Sequence, residues 1–306
     1  MAKPLFLVVA VAVALAGGAA GTAQQLTYSS GQRVVPAYEG WQKNADGSVD
    51  LLFGYMNQNW DEEIDIPVGP DNSFAPGAVE QGQPTHFLPR RNRFIFKVRV
   101  PPDLGTTEIV WTLTSRGKTV KAYASLKPDY FLEQMTLISE KGGIGGGGAG
   151  SAAARRNKAP VLTIEGDTHR SIKVGEPLTL VAAVTDDGFP KPRAPQNTAT
   201  PSRSGLSYSA PRNVTVNSAV GLRVSWYVYR GAGSVSFDPP QIKVWEDTRE
   251  GANSPWAPRW VPPPWPAEGR IMVEATFHQP GTYVLRCLAD DGGLWDDGNV
   301  TVTVSP

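Results

Sequence analysis

Residues 280–293 read PGTYVLRCLADDGG, and this stretch decides the fold class of the second half of the chain. Tyr283, Leu285, Cys287 and Ala289 occupy every second position, so in an extended strand they share one face. Pro-Gly precedes the alternating residues and Asp-Asp-Gly follows them, and both are turn-forming sequences. The stretch therefore predicts a β-strand with one buried face between two tight turns.

The same two-residue period recurs along the chain. It appears at residues 49–55, 94–100, 109–113, 178–184, 222–228, 271–277 and 300–304. Turn dipeptides such as Asp46-Gly47 and Arg116-Gly117 separate neighbouring segments. A helical period is confined to a short turn around residues 131–139. The pattern, with Trp226 on a central strand, predicts an all-β chain of two β-sandwich (immunoglobulin-like) domains.

The first 23 residues have the layout of a cleaved signal peptide. Lys3 provides a positive charge, residues 5–16 are uninterruptedly apolar, and a run of small residues ends at Ala23, where we expect cleavage. A retained membrane anchor is the alternative, but the apolar run is shorter than the roughly 20 residues that a span requires. We therefore predict an exported protein, periplasmic or extracellular, without an integral membrane span after cleavage.

A glycine-rich stretch divides the remaining chain. Residues 142–159 read GGIGGGGAGSAAARRNKA, which has no apolar pattern to bury and is typical of a flexible linker. A phosphate-binding loop is the alternative, but no strand precedes the glycines and no Gly-Lys-Ser/Thr follows them. We predict an N-terminal sandwich over residues 25–130, a linker over 131–158 and a second sandwich over 159–306, as independent bodies on a tether.

The bulk composition excludes some partners. The 306 residues include 29 basic and 29 acidic side chains, so nothing favours nucleic acid. Cys287 is the single cysteine, which excludes an internal disulfide and, on an inward-facing position, predicts a buried, inert thiol. The short basic run Arg90–Arg93 is interpreted as a solvated strand entrance, with contact to an anionic surface as the alternative.

Several motifs of the second half carry a family resemblance. They are PLTL (177–180), DDG (186–188), SWY (225–227), GAGSVSF (231–237), ATF (275–277), PGTYVL (280–285) and DDG (290–292). Together they resemble the PKD-like, immunoglobulin-like modules of large extracellular proteins. Such modules are typically spacers or adhesion units, so the resemblance implies a non-catalytic role. Two long insertions, 190–213 and 246–269, depart from the compact family pattern.

The first half also carries recognisable motifs. They are FGYMN (53–57), IPVGPDN (66–72), GQPTHF (82–87), the run from Phe94 onward and VWTL (110–113). They resemble an uncharacterised β accessory module of bacterial surface and exported proteins. This resemblance implies a class of protein and no particular chemistry.

Acidic turns suggest a metal site. In an immunoglobulin-like sandwich the loops after the second and sixth strands lie at the same end. If residues 178–184 and 283–289 are those strands, two acidic turns become neighbours and a third acidic pair follows in the same distal loop. The carboxylates are Asp186, Asp187, Asp290, Asp291, Asp296 and Asp297. Ca²⁺, which prefers several hard oxygen ligands, is the candidate cofactor. Plain turns, in which Asp accepts backbone hydrogen bonds, are the alternative.

A loop rich in tryptophan and proline is the second candidate site. Trp256, Trp260 and Trp265 alternate there with prolines that restrict the backbone. The indole rings are predicted to stack on sugars or on an apolar partner surface. The alternative is that they fold back and cover a sheet of their own domain.

Patterns of catalytic residues are missing from the sequence. His86, His169 and His278 are widely separated, and neither a G-x-S-x-G elbow nor a His-Glu-x-x-His helix occurs. The carboxylates of residues 61–63 are interpreted as solvated charges at a strand edge. We therefore predict a secreted non-catalytic binding, adhesion or scaffold protein of the bacterial envelope or exterior, with an envelope or extracellular protein or glycan as partner. The alternatives are a carbohydrate-binding accessory protein using the Trp/Pro loop, and a hydrolase whose site is assembled in space.

Overall fold

The computed structural model describes residues 28–140, 155–191, 221–241, 266 and 268–306. The chain is all-β, as the alternating pattern predicts. The predicted signal peptide, the glycine run 142–148 and the three tryptophans of the Trp/Pro loop lie outside the described residues. Within the described ranges, no helix combines the length and apolar character that a bilayer span requires.

The N-terminal half is a sandwich of two three-stranded sheets. Its strands are β1 (Val34–Lys43), β2 (Val49–Asn57), β3 (Ile64–Asp65), β4 (Asn72–Ala75), β5 (His86–Phe87), β6 (Arg90–Val100), β7 (Ile109–Ser115) and β8 (Lys118–Ala124). One sheet has the order β1-β2-β6 and the other β4-β7-β8, while β3 and β5 form a short ladder beside them. A 3₁₀ turn (Pro128–Tyr130) and helix α1 (Gln134–Glu140) follow β8.

Aromatic side chains fill the core between these two sheets. Phe53 on β2 lies 6.0 Å from Trp111 on β7, ring centroid to centroid, and Phe74 stacks on Trp111 at 5.9 Å. The indole nitrogen of Trp111 donates to Asn72 Oδ1 at 2.9 Å, so the one polar atom of this ring is paired inside the core. The predicted turn at Arg116-Gly117 is confirmed: both residues have positive φ, and Ser115 pairs with Lys118 in a two-residue hairpin.

The C-terminal half is a second sandwich. Its strands are β9 (Val161–Ile164), β10 (His169–Lys173), β11 (Pro177–Thr185), β12 (Arg223–Arg230), β13 (Val235–Asp238), β14 (Arg270–Phe277), β15 (Gly281–Asp290) and β16 (Trp295–Ser305). One sheet has the order β10-β16-β15-β12 and the other β13-β14-β11-β9. β10 runs parallel to β16, and the other pairs are antiparallel.

Two further features make this half immunoglobulin-like. Trp226 on β12 is buried in the core between the sheets. Tyr283, near the start of β15, donates its hydroxyl to the backbone oxygen of Gln279 at 2.9 Å, which is the tyrosine corner of immunoglobulin-like domains. Gly231 lies against this ring: its φ is +122°, and a Cβ there would lie 2.6 Å from Tyr283 Cδ1. Glycine at this position therefore lets the backbone approach the tyrosine.

Candidate functional site

The two sandwiches contact each other through buried side chains, and we call this contact region the joint. Arg286 on β15 is 6% exposed and donates through Nη1 to the backbone oxygen of Ile95 in the first sandwich. Its Nε donates to Asn299 Oδ1 at 2.8 Å, and its Cζ lies 3.6 Å above the ring of Tyr229. Because a buried guanidinium is costly unless its donors are satisfied, Arg286 stabilises the fold only while both sandwiches provide its partners.

A β-bulge in β6 supplies the apolar part of the joint. The register of the β2–β6 pair shifts between the partners Phe53/Phe96 and the partners Tyr55/Asn92. Phe94 lies within this shift and has a φ of +53°. Phe94 therefore leaves the face that it was predicted to share with Phe96, and Ile95 joins the first core instead. The ring of Phe94 stacks on Trp295 of the second sandwich, at a centroid distance of 5.4 Å.

The cluster around Phe94 includes the short helix. Its buried members are Leu52, Phe94, Leu132, Leu137, Ile138 and Leu294. Residues 131–140, predicted as part of the linker, thus contribute Leu132 and α1 to the joint. The sequence indicated a short helical turn around residues 131–139. With fewer than two turns in α1, that short period does not show which surface its apolar face contacts.

A second line of contacts joins the end of β12 to residues 82–85. The hydroxyl of Tyr229 donates to the backbone oxygen of Gly82 at 2.5 Å, and Thr85 N donates to the backbone oxygen of Tyr229 at 3.2 Å. Arg230 Nε donates to the backbone oxygen of Gln83 at 2.8 Å. The prediction of independent bodies on a tether is therefore wrong. A flexible linker sequence carries no information about whether the surfaces that it joins fit each other.

The acidic pole, defined by the six aspartates named above, lies beside the joint. Asp291 is fully buried: its Oδ1 accepts from Gly293 N at 2.5 Å and from Leu294 N at 2.7 Å, and its Oδ2 accepts from Asn157 Nδ2 at 3.0 Å. Burial raises the pKa of Asp291 to about 6, although these hydrogen bonds act in the opposite direction. Asp290 accepts from Gly292 N at 2.7 Å.

The other acidic residues also have protein partners. Asp187 accepts from Lys158 N at 3.0 Å, next to the Asn157 that bonds Asp291. The two predicted neighbouring turns therefore converge on residues 157–158. Asp186 accepts from Gly188 N at 2.9 Å, Asp296 from Leu162 N at 2.9 Å, and Asp297 lies 3.5 Å from Arg286 Nε.

Through these hydrogen bonds, the acidic turns hold residues 157–162 in place, where the chain enters the second sandwich. Among the residues that the structure describes, no group of three or more His, Cys, Asp or Glu side chains is arranged to hold a metal ion. Calcium binding at the acidic pole stays a prediction from the sequence.

The three histidines lie in different surroundings. His86 is buried, with Nδ1 at 2.7 Å from Asp65 Oδ1 and Nε2 at 3.0 Å from Glu63 Oε2. Burial alone would lower the pKa of His86, but the two carboxylates outweigh it and raise the value to about 9. His278 Nε2 lies 3.0 Å from Ser236 Oγ on the surface, and His169 contacts Thr168.

No described histidine therefore hydrogen-bonds both a carboxylate and a nucleophile, as the hydrolase alternative requires. Cys287 is fully buried, and burial strongly raises the pKa of its thiol, which suits an inert core residue.

The charged runs of the first sandwich form internal pairs. Arg90 Cζ lies 4.2 Å above the Trp60 ring, Arg91 pairs with Glu39 at 2.7 Å, and Arg93 pairs with Glu140 of α1 at 2.5 Å. This pairing differs from both sequence interpretations of the basic run. In the acidic run, Glu62 pairs with Arg116 and Glu63 with His86, so these carboxylates are not simply solvated edge charges.

The sequence reasoning missed a surface group of aromatic rings, which we call the aromatic strip: Tyr38, Trp41, Tyr130 and Phe131. Tyr38 and Trp41 are half-buried against the first core, and Tyr130 and Phe131 are exposed. Tyr38 and Tyr130 meet edge to face at 5.3 Å, and Trp41 and Phe131 lie 4.7 Å apart. Tyr130 and Phe131 are 45% and 41% exposed. The sequence signal that could have revealed the strip is the adjacent aromatic pair Tyr130-Phe131, which lies outside any alternating segment.

Comparisons with known proteins add little. No family model matches the sequence, and no curated protein matches it. Among solved structures, immunoglobulin domains 1–4 of Sidekick-1 match at 11% identity and a TM-score of 0.23, over 89% of this chain and 48% of that one. The Yersinia pseudotuberculosis adhesin InvE matches at 10% and 0.24, over 89% and 58%. The S-layer protein rSbsC(31-844) matches at 10% and 0.23, over 89% and 28%.

The chain therefore spans about half of the Sidekick-1 structure and of the adhesin, and less of the S-layer protein. Similarity at this level does not transfer a function.

Proposed function

We propose that this chain is an exported, non-catalytic binding protein of the bacterial envelope or exterior, in which two joined sandwiches present the aromatic strip to a glycan. The observation that carries the proposal is the strip itself. Exposed apolar side chains that lie together in one patch often mark a binding site, whereas single exposed ones are common on any protein surface. Aromatic residues also contribute strongly to binding energy.

The two half-buried rings of the strip, Tyr38 and Trp41, are held in place by their polar ends. The Tyr38 hydroxyl donates to the backbone oxygen of Ser125 at 2.8 Å, and Trp41 Nε1 donates to the backbone oxygen of Lys127 at 2.9 Å. A ring fixed in this way loses little conformational freedom when a ligand stacks on it.

A β-bulge aligns the strip along β1. The register of β1 shifts between Tyr38 and Gly40, and the extra residue brings Tyr38 and Trp41 to the same face. Gly40 has a φ of +135°, and a Cβ there would lie 2.5 Å from the backbone oxygen of Tyr130. The bulge thus lets residues 130–131 lie across the strand.

The surroundings suit a sugar chain. Lys127, Asp129 and Glu133 are close in sequence to Tyr130 and Phe131. Their exposed side chains offer both positively and negatively charged hydrogen-bonding groups. Sugars present apolar C–H faces with hydroxyl groups at the rim, and this arrangement matches both features. The Trp/Pro loop was predicted to bind in the same way, and a carbohydrate-binding accessory role through Trp256, Trp260 and Trp265 stays a second candidate.

Glycan binding is tested by tryptophan fluorescence and calorimetry with β-linked oligosaccharides and with sedimented, purified envelope glycan. We expect saturable binding, weakened at least about tenfold in a Tyr130→Ala/Phe131→Ala variant by the loss of two stacking rings. The matched control is Tyr123→Ala, which removes a 54% exposed ring on the other sheet. Binding that the double variant retains would contradict the role of the strip, and a wild-type protein that binds no glycan would favour a passive spacer.

A further inference from the structure

The two faces that meet in the joint differ in their chemistry. The second sandwich contributes hydrogen-bond donors: Arg286 donates through Nη1 to the backbone oxygen of Ile95. The hydroxyl of Tyr229 likewise donates to the backbone oxygen of Gly82 at 2.5 Å. In both bonds the first sandwich contributes the acceptor. Each copy of the chain therefore carries one face of each kind, and the faces complement each other rather than themselves.

The joint also covers apolar side chains on both halves. Phe94, Leu137 and Ile138 of the first half are each no more than 4% exposed, and they form one cluster with Leu294 of the second half. A half that is separated from its partner presents these side chains to water. Because a contiguous exposed apolar patch favours association, a separated half binds the complementary face of whichever copy provides it.

The connection between the halves is long compared with the distance that it has to bridge. Helix α1 ends at Glu140, and the second half begins at residue 155. The joint brings these two parts together, because Gln134 of α1 donates through Nε2 to the backbone oxygen of Asn157 at 2.8 Å. The helix is about 10 Å long, whereas residues 141–154 span up to about 50 Å when fully extended. This length is sufficient for the second half to reach the first half of a neighbouring copy.

We propose that the joint is a self-association interface, at which the first sandwich of one copy docks with the second sandwich of another. Two chains that exchange their halves in this way close into a dimer, and each of its two joints has the contacts of the joint within one chain. The exchange therefore loses no contact. The connection favours closure within one chain until the protein concentration approaches the effective concentration that it provides, on the order of 1 mM. The dimer thus forms where copies are crowded.

The first test separates the joint from the connection. In the full-length mature chain, residues 144–150 are replaced by the recognition site of a sequence-specific protease. After cleavage at about 10 µM, we expect both halves to elute together in size-exclusion chromatography. Isotopically labelled and unlabelled cleaved samples, once mixed, are expected to form mixed complexes in native mass spectrometry. Folded halves that separate on cleavage would overturn the proposal, and so would halves that stay paired but never exchange.

A matched pair of variants assigns the association to the joint. Arg286→Met removes the donor that contacts Ile95, so we expect it to weaken the pairing of the cleaved halves by at least about tenfold, measured by dilution. Arg270→Met breaks an exposed ion pair with Glu165, and its pairing is expected to equal that of the wild type. Equal pairing in both variants would mean that the halves associate through another surface.

The intact chain provides a second measurement, which applies even where the cleaved halves aggregate. Labelled and unlabelled wild-type chains are incubated together at about 1 mM, with and without a sub-denaturing concentration of urea to speed opening of the joint. After dilution, we expect native mass spectrometry to show mixed dimers, whereas chains mixed only at the moment of dilution should be monomeric. Monomers alone under both incubation conditions would overturn the exchange.

Discussion

Phe94 of the first sandwich stacks on Trp295 of the second, with ring centroids 5.4 Å apart and ring planes inclined by 23°. Phe94 reaches this position only through a backbone conformation, at a φ of +53°, that a bulky L-residue rarely adopts. Such strain persists where surrounding contacts determine the conformation. The bulge in β6 is therefore stabilised by the contact between the sandwiches, and the joint is part of how the first sandwich folds.

This strain predicts that glycine at position 94 gives a more stable protein than alanine does, which is the reverse of the usual order. Phe94→Ala and Phe94→Gly both remove the ring, at a cost of about 3–5 kcal/mol in the free energy of unfolding. Because glycine adopts a positive φ without strain, we expect Phe94→Gly to be the more stable by about 1 kcal/mol, measured by urea unfolding. At Phe96, which has an ordinary strand φ, the ranking should be the usual one, with alanine the more stable. The same order at both positions would mean that Phe94 is not strained.

The contacts of Arg286 with both sandwiches predict that the two sandwiches unfold together. In Arg286→Met the apolar stem is kept, but the backbone oxygen of Ile95 and Asn299 Oδ1 lose their buried donor. We expect a loss of about 3 kcal/mol in the free energy of unfolding, and separation of one cooperative transition into two. Arg270→Met, which breaks an exposed ion pair with Glu165, is the control and should leave the transition unchanged. A single, unshifted transition in Arg286→Met would contradict the coupling.

The contrast between the two halves shows what sequence patterns can predict. Alternation at Tyr283, Leu285 and Cys287 predicted strand β15 and its buried face, because a regular strand repeats every two residues. At Phe94 the same rule failed, because β6 takes four residues where β2 takes two, so Phe94 lies within the bulge and leaves the alternating pattern. The aromatic strip depends on a second bulge and on a turn that lies across β1, and these tertiary contacts leave no periodic signal.

The raised pKa of His86 predicts that the protein loses stability in alkaline solution. Its folded pKa of about 9 exceeds the ordinary value of 6.5, so its contribution is complete below pH 6.5 and disappears as the pH rises through 9. Because Glu63 and Asp65 are partly exposed, we expect a contribution of about 2 kcal/mol rather than the full shift. Urea unfolding from pH 6 to 10 should show this decline in the wild type and in His169→Gln. In His86→Gln it should be flat, and an undiminished decline there would assign the effect to other groups.

Calcium at the acidic pole is decided by thermal melting in CaCl₂ and in EGTA. Five of the six carboxylates accept backbone hydrogen bonds, at Asp186, Asp187, Asp290, Asp291 and Asp296. Binding an ion would require several of these bonds to break. We therefore expect the melting temperature to be the same in both solutions. A rise in calcium that disappears in Asp290→Asn/Asp291→Asn, but persists in Asp46→Asn, would establish the site that the sequence predicted, and it would show that the turns rearrange to form it.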